Sequence, residues 1–217
     1  MQRLQDAARH GYAFYVTGET SEEKWPALAA KFSEIYLCAL PKSTRSKRRK
    51  SGEAVTMLYA YQDPYKSASG AIVWALMVTD GRGRVHARET LLQLTKDRFV
   101  LGGYELVHDG VGWSWKMTRE RVDYWREKIH TIAAMRPKMR VIETGAYGKV
   151  DQDIEKVMDV LYNAPGFRLV RRQVGMLVHF ARGEWARLRP NSTVQIRTRT
   201  FLPYVGRLSN KALTGGG

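Results

Sequence analysis

The chain of 217 residues has one cysteine, Cys38. No internal disulfide can form, a multi-cysteine zinc site is excluded, and a reducing, cytoplasmic setting is expected. Long apolar runs are also missing. None approaches the roughly 20 residues that span a bilayer. The opening MQRLQDAARHGYAFYV has no long apolar core and no small-residue cleavage site, so no secretory signal is predicted. Catalytic and cofactor motifs are equally scarce. His10, His86, His108, His130 and His179 are scattered, with no H-x-H or HExxH pair, and there is no P-loop and no G-x-G-x-x-G. Gly81-Arg82-Gly83 and Gly110-Val111-Gly112 read as turns. Asp151, Asp153 and Glu155 open a predicted helix, where acids favour the dipole and need no metal to explain them. Neither a cofactor nor a metal is predicted.

Acid is absent where base is densest. The net charge is +15, and two segments hold all of it. Residues 41–50 carry six basic residues and no acid, and residues 168–217 carry ten basic residues against Glu184 alone. The remainder is neutral on balance. Charge concentrated in this way points to a polyanionic partner rather than to general solubility.

Residues 12–17 (YAFYVT) read as a strand of aromatic and β-branched side chains. Thr20 fits an N-cap with Glu23 as its capping-box partner. Trp25, Leu28, Ala29, Phe32, Ile35 and Tyr36 then recur at helical spacing on one apolar face, and Pro41 ends the helix. Residues 55–61 form a second strand, with Val55, Met57, Tyr59 and Tyr61 on one side. Asp63-Pro64 and residues 67–70 mark a turn, and the nearly continuous apolar run 71–79 reads as a central strand. A short helix over 87–94, a strand over 99–108, the Asp109-Gly110 turn and a strand over 112–117 complete this half. The order is β-α-β-β-α-β with an added hairpin strand. It predicts an α+β chain with a ferredoxin-like domain over residues 1–117, an arrangement shared with the RNA recognition motif.

Residues 118–217 read as a mainly helical, basic region. Thr118 caps a helix with Val122, Trp125, Ile129 and Ile132 on one face. A second helix begins at Asp151 and breaks at Asn163-Ala164-Pro165-Gly166. A third covers 167–188, with Phe167, Val170, Val174, Leu177, Val178, Ala181 and Trp185 on one stripe. Gly175 and Gly183 weaken it and invite a bend. Residues 194–201 (VQIRTRTF) are strand-like.

Three constellations could grip an anionic polymer. The first is KSTRSKRRK, with Lys42, Arg45, Lys47, Arg48, Arg49 and Lys50; lacking apolar residues, it is expected as an unpacked loop that phosphates would order. The second is the stripe of Arg168, Arg171, Arg172, Gly175, His179 and Arg182, opposite the apolar stripe of the third helix. The third is Arg197 and Arg199 on one side of the last strand, with Arg207 and Lys211 beyond. The bland alternatives are a solvated loop, a solvated helix face and a charge-protected edge strand. Trp113 and Trp115 share a strand face, and burial in a hairpin explains them better than stacking on bases.

Together these features predict a non-catalytic nucleic-acid-binding protein, with RNA or single strands favoured over duplex DNA, acting beside other subunits of a nucleoprotein complex. One alternative is a metal-independent endoribonuclease with His179 as its base. Another is a basic module for acidic proteins or anionic membranes.

Overall fold

The computed structural model describes residues 1–62, 71–135, 149–192, 196, 198, 199 and 202–206, with the backbone alone for 149–152. Arg197, Arg207, Lys211, the expected turn at 63–70 and most of the strand-like run 194–201 lie outside the described residues. The protein is mixed helix and sheet, with antiparallel sheets. It divides into two compact units, Met1–Gly102 with Leu106–Trp113, and Gly103–Glu105 with Ser114–Gly217. Among the described residues, no helix is long and apolar enough to cross a membrane.

The first unit is built on a four-stranded antiparallel sheet. Its strands are β1 (Phe14–Ser21), β2 (Thr56–Gln62), β3 (Ala71–Val78) and β4 (Leu92–Gln93), in the order β2-β3-β1-β4. β1 and β3 pair along their whole lengths, from Phe14 opposite Val78 to Ser21 opposite Ala71. Gly18 lies opposite Trp74, and a Cβ on it would stand 2.7 Å from the indole ring. Glycine there lets the large ring lie across the neighbouring strand. One sheet face carries helix α2 (Trp25–Tyr36) and the core of Phe32, Cys38, Ala54, Leu76, Val78 and Val85. Cys38 behaves as a small apolar residue in that core, its thiol donating to Phe32 O at 3.4 Å. Helix α1 (Gln2–Arg9) buries Leu4, Ala7 and Ala8. On the other sheet face, Tyr15 meets Phe99 edge-on at 4.7 Å, and Met77 is fully buried.

Several local expectations are corrected. Thr20 does not cap α2; it belongs to β1. Lys24 takes the N-cap place, and Pro26 occupies the first turn, where its missing N–H costs nothing. Helix α4 is Arg84–Arg88, earlier than expected, and β4 falls inside the span read as helix. Residues 99–108 are not one strand. Gly102 and Gly103 both take positive φ, 57° and 77°, and fold the run into β5 (Phe99–Leu101) and β6 (Tyr104–His108). These pair with β7 (Trp113–Met117) in a separate three-stranded sheet. Residues 42–50 form helix α3 (Lys42–Lys50) and not a loop. Lysine and arginine are good helix formers, and the four cations of its last turn suit the negative end of the dipole.

The second unit holds α5 (Arg119–Ala134), α6 (Lys149–Tyr162) and α7 (Arg168–Leu188). Thr118 Oγ accepts from Arg121 N at 3.3 Å and caps α5. Ser114 Oγ accepts from Leu169 N at 3.2 Å at the start of α7. Gln173 reaches back to β7, accepting from Met117 N at 2.6 Å and donating to Met117 O at 3.1 Å. α7 runs unbroken through both glycines and buries Val170, Val174, Leu177, Val178, Ala181 and Trp185. Trp115 is fully buried, its ring 6.4 Å from that of Phe167.

Phe32 and Trp25 share the predicted apolar face of α2 but not its burial. Phe32 is 8% exposed, with Trp74 at 5.1 Å, whereas Trp25 is half-buried and lies outside the core cluster. Chemical denaturation of Phe32→Ala is expected to show a loss of about 3–5 kcal/mol, and Trp25→Ala less than half of that. Equal losses would mean that α2 is turned differently on the sheet.

Candidate functional site

The two faces of the four-stranded sheet are covered to different extents. α2 and its core cover one face. On the other, Tyr59 points to the side that carries Tyr15 and is half-buried, and burial pushes its phenol up to about 12. A cavity of about 130 Å³ beside it is lined by Leu4, Val73, Ala75, Phe99 and Leu101, so α1 and β5 cover part of this side, while Thr17, Glu19, Ser21 and Tyr61 farther along it are exposed. The cations lie on helices instead.

In α3, the six basic residues divide into two sets. Arg45 donates to Leu40 O at 2.6 Å, Arg49 donates to His10 O at 2.8 Å, and Arg48 pairs with Glu53 at 2.6 Å. These arginines fasten the helix to its own unit. Lys42, Lys47 and Lys50 are exposed and make no ion pair among the described residues. The sequence could not separate the two sets, because the partners of Arg45 and Arg49 are backbone carbonyls, which any residue supplies.

The exposed face of α7 carries the expected stripe. Arg172, His179 and Arg182 are exposed, and make no hydrogen bond or ion pair among the described residues. Arg168 and Arg171 are half-buried on the same face. Arg171 is also committed to structure. Its Nε donates to Leu202 O at 2.6 Å, and its guanidinium lies 3.6 Å from the centre of the Tyr204 ring. That contact holds the segment 202–206 against the helix, and Val205 N donates to Gly166 O, just ahead of the helix, at 3.1 Å. Arg199 N donates to the Tyr162 hydroxyl at 3.0 Å, and its guanidinium sits 3.5 Å from Asp159.

The single acid of α7 does not neutralise this stripe. Glu184 accepts from Arg187 at 2.8 Å and hydrogen-bonds His130 of α5 at 2.6 Å. The Arg187 guanidinium first, and His130 second, hold its carboxyl down at about 2.

Two concavities flank the stripe. One, of about 340 Å³, collects Arg171, Arg182 and Arg199 with His179, Tyr162 and Thr198. The structure thus brings together four residues that the sequence placed on separate elements or turns. The other, of about 630 Å³, runs between α5 and α7, with Val122, Met176, Leu177 and Phe180 on its floor and Arg126 and Arg172 at its side. Arg126 lies 4.7 Å from the centre of the Phe180 ring. Met176, Phe180 and Arg126 were not singled out in the sequence. Their signal was the position of Met176 and Phe180, one turn apart and off the buried stripe. Among the described residues, no group of three His, Cys, Asp or Glu side chains could hold a metal ion.

Comparison with known protein families, with curated proteins and with solved structures finds no match in any of the three.

The division within α3 has a direct consequence. Changing Lys42, Lys47 and Lys50 together to Gln is expected to leave the melting temperature unchanged. Changing Arg45, Arg48 and Arg49 to Gln is expected to lower it, since each arginine loses a charge-assisted bond. Calorimetry of both triple variants checks this, and equal melting temperatures would contradict the assignment.

Proposed function

We propose that the protein binds nucleic acid without catalysing a reaction, and that the exposed basic face of α7 is its main contact. The observation that carries this reading is the set Arg172, His179 and Arg182, exposed without protein partners among the described residues, beside a concavity lined by three arginines. A surface that keeps cations apart from its one acid suits a partner with regularly spaced negative charge. The outward lysines of α3 supply a second phosphate contact. RNA or single-stranded nucleic acid is favoured over duplex DNA, and further subunits of a nucleoprotein complex are compatible partners. A single buried thiol fits a reducing compartment such as the cytoplasm.

The strand order supports a ferredoxin-like first unit. β3 pairs antiparallel between β1 and β2, so β1 and β2 run parallel and are joined through α2, a split β-α-β unit. By the same geometry β1 separates β3 and β4, which are joined through α4. One face of this sheet is covered, the other is covered in part, and its four strands carry no lysine or arginine, so the proposed contacts are helical and not the stacking platform of an RNA recognition motif.

One observation favours a second reading. His179 lines the concavity with Arg171, Arg182 and Arg199, where an imidazole could take a proton from a ribose hydroxyl beside cations that stabilise the phosphate.

Anisotropy titrations with labelled single-stranded RNA, single-stranded DNA, duplex DNA and heparin test both readings. The double variant Arg172→Gln/Arg182→Gln is expected to bind RNA more weakly, with a log–log salt slope shallower by about 0.7 for each phosphate left without its cation. The α3 lysine variant is expected to add to that loss, within about 0.5 kcal/mol. Full affinity in the double variant would remove α7 from the site. Equal binding of heparin and nucleic acid would replace the reading with a general polyanion module. Running the same RNA on a gel with chelator present tests the histidine: intact RNA excludes cleavage, and cleavage abolished in His179→Ala would establish it.

A further inference from the structure

The two concavities on α7 share only Gly175 and His179 among their lining residues, so these form the crest between them. On one side of the crest the walls are cationic. On the other the floor is apolar, with Met176 65% exposed and Phe180 under the Arg126 guanidinium. Gly175 is an odd choice for the middle of a helix. Glycine is the poorest helix former after proline, and a Cβ added there would meet nothing within 4 Å. No packing within the described residues calls for it. What a missing side chain does at an exposed crest is let another backbone come close.

We propose that a single nucleic-acid strand crosses α7 at Gly175. A phosphate rests on the side of Arg182 and Arg199, and the attached base enters the groove between α5 and α7. This rests on the nucleic-acid reading above and narrows it to single strands. The charge complementarity is that of a nucleotide: an anionic group for the arginine-lined side, and a flat π-face for an apolar floor edged by Arg126 and Arg172. A duplex cannot place the two groups so, because its base faces are stacked and its base edges paired.

The test compares Gly175→Gln with Gly183→Gln. Gly183 is also an exposed glycine of α7 with open space around it, but it lines neither concavity. Glutamine improves helix propensity at both places and alters no charge. The probe is a labelled oligouridylate about 15 nucleotides long, with an abasic strand of the same length and a duplex for comparison. Both variants are expected to melt at or above the parent temperature. Gly175→Gln is expected to weaken oligouridylate binding on the order of tenfold, Gly183→Gln to leave it unchanged, and the abasic strand and the duplex to bind the parent on the order of tenfold more weakly. Parent-like affinity in Gly175→Gln, or equal affinity of the parent for oligouridylate and the abasic strand, overturns the crossing alone. A parent that binds none of the three probes overturns the nucleic-acid reading as well. The abasic comparison uses the unaltered protein, so it decides even if Gly175→Gln fails to fold.

Discussion

Burial of one stripe of α7 fixes what the rest of the helix can do. Val170, Val174, Leu177, Val178, Ala181 and Trp185 are all buried, and a helix of 3.6 residues per turn has no freedom to rotate once they are. Arg172, His179 and Arg182 must then face outward. Ser114 and Gln173 hold the N-terminal half in place through backbone bonds at Leu169 and Met117. Glu184, held by Arg187 and His130, is drawn away from the arginines it could otherwise neutralise. Exposed positive charge is therefore a consequence of core packing.

The first unit uses its charge differently. Three arginines of α3 are committed to structure, through carbonyls and Glu53, and three lysines are left outward. Arginine suits the first task because its forked donors reach carbonyl and carboxylate oxygens in fixed geometry, and lysine suits the second as a flexible point charge. In α7 arginine takes both roles: Arg171 anchors Leu202 and stacks on Tyr204, while Arg172, next in the chain, points to solvent.

Long elements with a strong period were legible. The strand of residues 71–79 and the three long helices follow from apolar patterning alone, and Asn163-Ala164-Pro165-Gly166 marked its break. Short elements were not. α1 presents few apolar residues, and Leu4 reaches a cavity lined by Tyr59, Val73 and Phe99, far along the chain. β4 is two residues long and takes its identity from pairing with Phe14 and Tyr15. α3 read as a loop because it has nothing to bury; its anchors are polar and act on backbone oxygens and on Glu53. Thr20 read as a cap because its spacing to Glu23 was right, but pairing of β1 with β3 extends to Ser21 and claims it. For the site, helical periodicity alone gave the arginine stripe. The cavity beside it needed Arg199 and Leu202, brought back from beyond the helix, and no local pattern announces such a return.

The central claim is that the exposed face of α7 meets nucleic acid. Photocrosslinking to a thiouridine-containing single strand, followed by tryptic digestion and mass spectrometry, tests it most directly. The account predicts crosslinks on the peptide of residues 173–182, which carries Met176, His179 and Phe180. Crosslinks confined to peptides outside α7, or none at saturating RNA, would contradict it.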